Sequence, residues 1–478
     1  MTNKHIGTPI SRRTFLESSA AMLAAAALQG CGPAAPPESK PAAGAPAAGA
    51  PAPGAPAAAP AAAPPPAQGA KTVKAIVQAS WAELGMRDAT AAYNEQMRSK
   101  GVQVELEDTA TGWEQKVLAM IKDKSLPWSA HGYAPFFNQY SYIKSGLATP
   151  IDDWVKSSPV PWAKDMKSAY YAPNIDDVNR FEGKLYFIPM KLNIHLLGYR
   201  KDYLKEVGLQ AVPDTWDEFE KVLGDVKKAL ASKDVIPFAM RKEFYRTLGT
   251  AYVTRREKFF DDKGVINLDT PEFYDTINMY NRWFKNGLIT PDSFIAPDDI
   301  SAWEKGKIFA GIDSHSWIRQ AKKIWGVEAA AGSLPPQPAK TDKPRTWMHV
   351  DSGFIFPGAP MPQEGTDWLL SILGPDGGPA EQWWGKVITF SGSPVHKTMF
   401  DKFVVKNQDY PEIADSYKAI ANSPILPVII GSSYGAVQTK VWPWMEQFWG
   451  GQISDKEAVA GAMKDVQEEM QKSLLRPQ

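Results

Sequence analysis

The sequence predicts an α/β protein in two lobes, each built on a mainly parallel sheet flanked by helices, and three observations carry that reading. Roughly 400 residues follow Lys71, more chain than one ordinary domain uses. Alternating apolar residues mark two strands, Lys71 to Gln78 and Val102 to Leu106, with a helical stretch between or after them, the pattern of βαβ units. Further on, apolar stripes at helical spacing start at capping motifs, so helices continue to the end of the chain.

Taken in order, Val73, Ala75 and Val77 share one side of the first strand, and Ser80-Trp81 should lie in the loop after it. Val102, Val104 and Leu106 repeat the alternation before a polar and aromatic loop, Asp108 to Trp113. In parallel sheets ligands meet the loops at the carboxyl ends of strands, which makes these two loops candidates for a site. Thr215 and Glu218 form a capping box, in which the threonine oxygen accepts from the third helical N–H and the glutamate reaches back. Phe219, Val222, Leu223, Val226 and Leu230 then fall on one helical face. Thr270-Pro271 opens another helix, with Phe273, Ile277, Tyr280 and Phe284 inward and Gly287 ending it. Ser454 to Glu457 is a second capping box, followed by Val459, Met463, Val466, Met470 and Leu474. These stripes specify core rather than chemistry.

The amino-terminal region differs in kind. The stretch from Ser11 to Cys31 has Arg12 and Arg13 in a short basic head, a weakly apolar run of Ala, Leu and Met, and then Leu28-Gln29-Gly30-Cys31. It resembles a twin-arginine export signal joined to a lipoprotein cleavage box, although Glu17 is an unusual choice after the arginines. Cys31 is the single cysteine of the chain, so its lipidation would leave no thiol for disulfides, thiolate metal sites or cysteine catalysis. Each buried acyl methylene contributes about 0.8 kcal/mol, so several chains would hold the protein at a bilayer. Residues 32–70 are almost wholly Ala, Pro and Gly, too poor in apolar bulk to offset the entropy of ordering, and are expected to form a disordered tether. Fully extended at about 3.1 Å per residue, the tether would reach on the order of 120 Å.

Charge and composition exclude other classes. With 53 basic and 53 acidic residues and no block of like charge, nucleic acid is not an expected partner. The histidines at positions 5, 131, 195, 315, 349 and 396 show no paired spacing, so neither a metal nor another cofactor is expected. No HExxH or glycine-rich phosphate loop is present, and the scattered acids carry no glycosidase signature. Aromatics are abundant, with 17 Trp, 16 Tyr and 20 Phe; most should be core, and a minority could form flat stacking surfaces in a cleft.

The order of segments resembles the family 1 extracellular solute-binding proteins, sugar-binding subunits of ABC importers. The residues that carry the resemblance are Phe181 to Pro189 (FEGKLYFIP), Leu197 to Leu223, Gly264 to Ile289, Gly306 to Trp317 (GKIFAGIDSHSW) and Gln452 to Met463. The resemblance implies a two-lobed periplasmic-binding-protein fold of type II with a ligand cleft between lobes. It divides the chain into a signal (1–31), a tether (32–70), lobe one (71–187 with about 335–395) and lobe two (188–334 with about 396–478). It also implies a monomer that captures a sugar, oligosaccharide or polyol outside the cytoplasm, delivers it to ABC permease subunits and is held to a membrane by lipid. The main alternatives are an exported carbohydrate-active hydrolase and a binding protein serving a membrane sensor.

Two positions depart from the family pattern. Leu126-Pro127-Trp128-Ser129 stands where an acidic contact is common, and His315 replaces a glycine two residues before Trp317. Strand-end logic and the matched segments together nominate Trp81, Thr111, Trp113, His131, Tyr133, Asn193, His195, Asp313, Trp317, Asp351 and Trp384 as ligand contacts. Asn193 and His195 are expected just past a strand ending at Pro189, and Asp351 just before the strand Phe354-Ile355-Phe356. Trp383-Trp384 and Trp442-Pro443-Trp444 read mainly as packing clusters.

Overall fold

The computed structural model describes residues 71–109, 112–172, 174–256, 258–295, 305–390, 392–406, 411–419, 423, 425–427 and 430–475. The expected signal with Cys31, the tether and Thr111 lie outside these residues.

The strands are β1 (Lys71–Gln78), β2 (Val102–Thr109), β3 (Ala130–Ala134), β4 (Arg180–Phe181), β5 (Lys184–Leu185), β6 (Phe187–Arg200), β7 (Ile236–Arg241), β8 (Phe294–Ile295), β9 (Ile308–Ser314), β10 (Ala330–Ser333) and β11 (Met348–Ile355). The principal helices are α1 (Arg87–Met97), α2 (Trp113–Lys122), α3 (Phe136–Lys144), α4 (Trp216–Ala229), α5 (Pro271–Lys285), α6 (His315–Trp325), α7 (Pro362–Ile372), α8 (Gly378–Phe390), α9 (Gly431–Trp449) and α10 (Asp455–Leu475).

The main sheet runs β2-β1-β3-β11-β6-β9-β7-β8, with β10 also on β6. β1 pairs in parallel with β2 and β3, as the βαβ reading expects, and β7 also pairs in parallel with β8 and β9. The centre is antiparallel, because β6 and β11 carry the chain between lobes in opposite directions. β6 is the shared strand. Its first half pairs with β11, from Phe187 with Phe354 to Ile194 with Met348, and its second half pairs with β9 and β10. Two half-sheets thus meet near Ile194-His195, and each supports one lobe.

In lobe one, α1, α7 and α8 cover one face over Val73, Ala75 and Val77, while α2 and α3 cover the other over Ile76, Phe187 and Phe354. In lobe two, α4, α5, α9 and α10 enclose a core of Phe219, Phe238, Trp283 and Phe309. The caps form, with Glu218 reaching back to the Thr215 hydroxyl at 3.1 Å rather than to its N–H. The Thr215 oxygen accepts from the Glu218 N–H at 3.4 Å, Thr270 from Phe273 at 3.3 Å, and Ser454 from Glu457 at 3.2 Å while Glu457 accepts from the Ser454 N–H at 2.8 Å. The hairpin β4-β5 turns through Glu182 (φ 51°) and Gly183 (φ 79°), both left-handed, as a two-residue turn needs.

Four local expectations differ from the structure. Ala79–Trp81 is helical and runs through a wider turn, Ala82–Met86, into α1 rather than forming a loop. Gly85 permits this, since a Cβ there would lie 2.8 Å from that of Lys386 on α8. Asn193 and His195 lie within β6, which runs on past Pro189 because β11 holds its first half and β9 and β10 its second. Asp351 lies within β11, and Trp317 lies on α6 rather than at a strand end.

Candidate functional site

Alternation along β6 turns Lys191, Asn193 and His195 to one face, and the register with β11 sets Asp351 beside Lys191 and His349 beside Asn193. This polar ridge, on the strands that join the lobes, is the floor of the candidate site. Asp351 is its organising group. One oxygen accepts from the backbone N–H of Phe136 at 3.0 Å, at the positive end of α3; the other receives Lys191 and the Asn193 amide, each at 3.0 Å. Lys191 also donates to the Asn193 oxygen at 3.0 Å. Burial lowers the Lys191 ammonium from its usual range, and Asp351 works against that shift.

Lobe one adds an aromatic wall. The Lys191 nitrogen lies 4.6 Å from the centre of the Trp81 ring, and Trp81 lies 5.1 Å from Tyr133. Lobe two supplies a charged wall through a short turn after β7, Phe244–Arg246. Arg246 reaches Asp313 at 2.7 Å and Glu243 at 2.7 Å, and Arg241 meets the other Asp313 oxygen at 2.5 Å. Burial alone would lower Arg246, but Asp313, Tyr245 and Glu243 raise it and keep it charged, whereas burial raises the Glu243 carboxyl. The walls approach each other: burial, then Asp351 and Tyr245, raise the Tyr133 hydroxyl well above its ordinary range. Phe136 packs on Tyr245 at 5.7 Å and on Tyr434 of α9 at 5.0 Å, bridging the lobes.

The structure therefore brings together Trp81, Tyr133, Asn193, His195, Asp313 and Asp351 from the nominated set. Others serve different neighbourhoods. Trp113 and His131 stack in the aromatic layer of lobe one, 4.3 Å apart, with Phe354 and Phe356, and burial pushes His131 down to about 3. The His131 Nδ1 accepts from the Tyr133 N–H at 2.9 Å and so fixes that residue's backbone. Trp317 packs across β6 at Gly198 and against Trp325, and Trp384 donates to the Gly374 carbonyl within the core under α8. Trp442 is buried and packs on Trp449 of its own helix, and Trp444 is tied to Asp465 of α10.

Lys191, Tyr245, Arg246, Arg241, Phe136 and His349 were not nominated. Lys191 was within reach of the alternation that leads to Asn193 and His195. Tyr245 and Arg246 belong to a turn with no local signature.

Among the described residues no group of three or more His, Cys, Asp or Glu could hold a metal, and no helix is long and apolar enough to cross a membrane. A groove of about 870 Å³ lies between α4 and α5. Its lining is largely charged and internally paired, Arg282 with Glu220 at 3.1 Å and Lys227 with the Asn286 carbonyl at 2.7 Å, and it offers no aromatic face. The crossover floor is the better candidate.

Comparison with known proteins agrees with this architecture. The sequence profile of the family described as bacterial extracellular solute-binding protein matches residues 77–377. A "Multiple sugar-binding protein" of Streptococcus mutans is 40% identical over 57 residues, which is 12% of this chain and 12% of that relative. Among solved structures, the sugar-binding protein MalE of Xanthomonas citri superposes with a TM-score of 0.68 at 17% identity, over 84% of this chain and 98% of the other. A cyclic alpha-maltosyl-1,6-maltose binding protein of Arthrobacter globiformis gives 0.65 at 14% identity, over 84% and 100%. At such identities the likeness is one of fold, the two-lobed fold of maltose-binding-type proteins.

Proposed function

The chain belongs to the bacterial extracellular solute-binding protein family, and on that footing we propose that it captures a sugar, oligosaccharide or polyol outside the cytoplasm and delivers it unchanged to an ABC importer. The observation that carries this reading is the meeting of two unlike walls over one polar floor. Trp81 and Tyr133 face Tyr245, Arg246 and Asp313 across Lys191, Asn193, His195 and Asp351. A sugar ring has an apolar C–H face, which suits an aromatic ring, and a rim of hydroxyls that must be hydrogen-bonded once buried. The moving bodies are residues 71–187 with about 335–395 and residues 188–334 with about 396–478, with β6 common to both. Closure follows when the ligand prefers the shut form; shifting a population from 1:99 to 99:1 takes about 5.5 kcal/mol of differential affinity.

The remaining parts of the reading come from the amino terminus. Twin-arginine export, lipidation at Cys31 and a flexible 32–70 tether would present a monomeric binding body at a membrane surface, near its permease subunits. Calorimetric titration of purified protein with a panel of mono- and oligosaccharides, followed by chromatography of the recovered sugar, tests the proposal. Tight binding with intact sugar is expected. Turnover of any sugar, or binding of none, would remove it.

A further inference from the structure

Near the midpoint of β6, where the half-sheets meet, two imidazoles lie side by side with bare nitrogens. Neither ring nitrogen of His195 has a hydrogen-bond partner among the described residues, nor does Nδ1 of His349. Both residues are buried, at 0% and 6% exposure, with ring centres 5.6 Å apart. Tyr245 of lobe two packs against both, at 5.1 and 5.7 Å, and Phe136 of lobe one covers His349 at 4.0 Å. Buried polar nitrogens are seldom left unpaired, and one so placed asks for an explanation.

The surroundings oppose a proton on either ring. The charged and titratable groups that act on both rings are Lys191 from β6, Arg246 from the turn after β7 and His315 from α6, and Tyr245 of that turn packs against both. The carboxylates beside these cations are already engaged: Asp351 by Lys191, Asp313 by both Arg241 and Arg246, Glu243 by Arg246. His315 is committed elsewhere, with Nδ1 on the Ile194 backbone and Nε2 on Ser393.

We propose that the His195–His349 pair is a proton-operated release, neutral while the lobes are shut and able to take up protons only when they part, so that acid opens the cleft and expels the ligand. The inference rests on the binding reading given above. Burial, then the neighbouring cations, pushes both imidazoles well below their usual range. For groups depressed in the shut form, closure is favoured above the ordinary imidazole pKa of about 6.5 and is lost as pH falls below it. One proton taken up on opening weakens binding about tenfold per pH unit in that window, and two weaken it about a hundredfold.

The test is calorimetric titration of the full chain with maltotetraose at pH 7.5 and pH 5.5, alongside His195→Gln, His349→Gln and the double variant. Affinity of the unaltered protein should fall between about 10-fold and 100-fold over that interval. Each single variant should lose part of the dependence, and the double variant should show none. An affinity that is flat in the unaltered protein, or equally steep in the double variant, overturns the proposal. If maltotetraose does not bind at pH 7.5, the carbohydrate reading has failed for this sugar, and proton NMR of the imidazole C–H resonances in the ligand-free full chain, assigned with the same variants, decides the histidines. With the lobes parted, both rings should titrate near the ordinary imidazole value of about 6.5. Rings that stay neutral well below that value overturn the proposal.

Discussion

Lys191 ties three parts of the site together: it neutralises Asp351, orients Asn193 and lies over the face of Trp81. Replacing it with methionine strands the buried Asp351 carboxylate, and urea unfolding of Lys191→Met should show a loss of about 3–5 kcal/mol. The double variant Lys191→Met, Asp351→Asn should lose less than the sum of the single changes, because the stranded charge is gone; simple additivity would show that the pair is not coupled. Trp81 is the proposed stacking surface, and a ring contact of this kind contributes about 0.5–1.5 kcal/mol beyond area burial. Trp81→Ala should therefore weaken sugar binding about tenfold or more by calorimetry, with unchanged affinity contradicting the assignment.

At the scale of elements, short-range signals were legible and long-range ones were not. Thr215, Thr270 and Ser454 announced their helices because a cap is made within four residues, and the buried faces of α4 and α5 followed from periodicity alone. Ser454→Ala should cost about 1 kcal/mol in urea unfolding and leave sugar affinity unchanged, since the cap lies on an exposed turn. β6 was readable only to Pro189, because whether a strand continues depends on partners some 120 to 160 residues away, β9 and β11. For the same reason Asn193, His195 and Asp351 could be nominated as ligand contacts while their common face could not be drawn. Tyr245 and Arg246 were invisible, since only the pairing of β7 with β9 brings them to Asp313. α3 and α9 offer a test of interlobe contact: Phe137, partly exposed, stacks on Tyr434 at 5.9 Å. If this contact belongs to the shut form, Phe137→Ala should weaken sugar binding about fivefold while changing unfolding free energy little.

For the whole molecule, the arrangement of β6 and β11 explains how one chain can carry two lobes and still move. Both strands lie in the floor, so opening need not break either core; it changes how the walls face each other over strands that stay paired. On the proposed binding reading, affinity is set by ligand contacts from both walls together, minus whatever the shut form costs in burying Lys191, Arg246 and the two imidazoles. Small-angle X-ray scattering with and without a saturating sugar, chosen by its thermal shift, tests this most directly. The account predicts a smaller radius of gyration when sugar is bound, with the sugar recovered intact. Identical scattering curves from the free and sugar-saturated protein would contradict it.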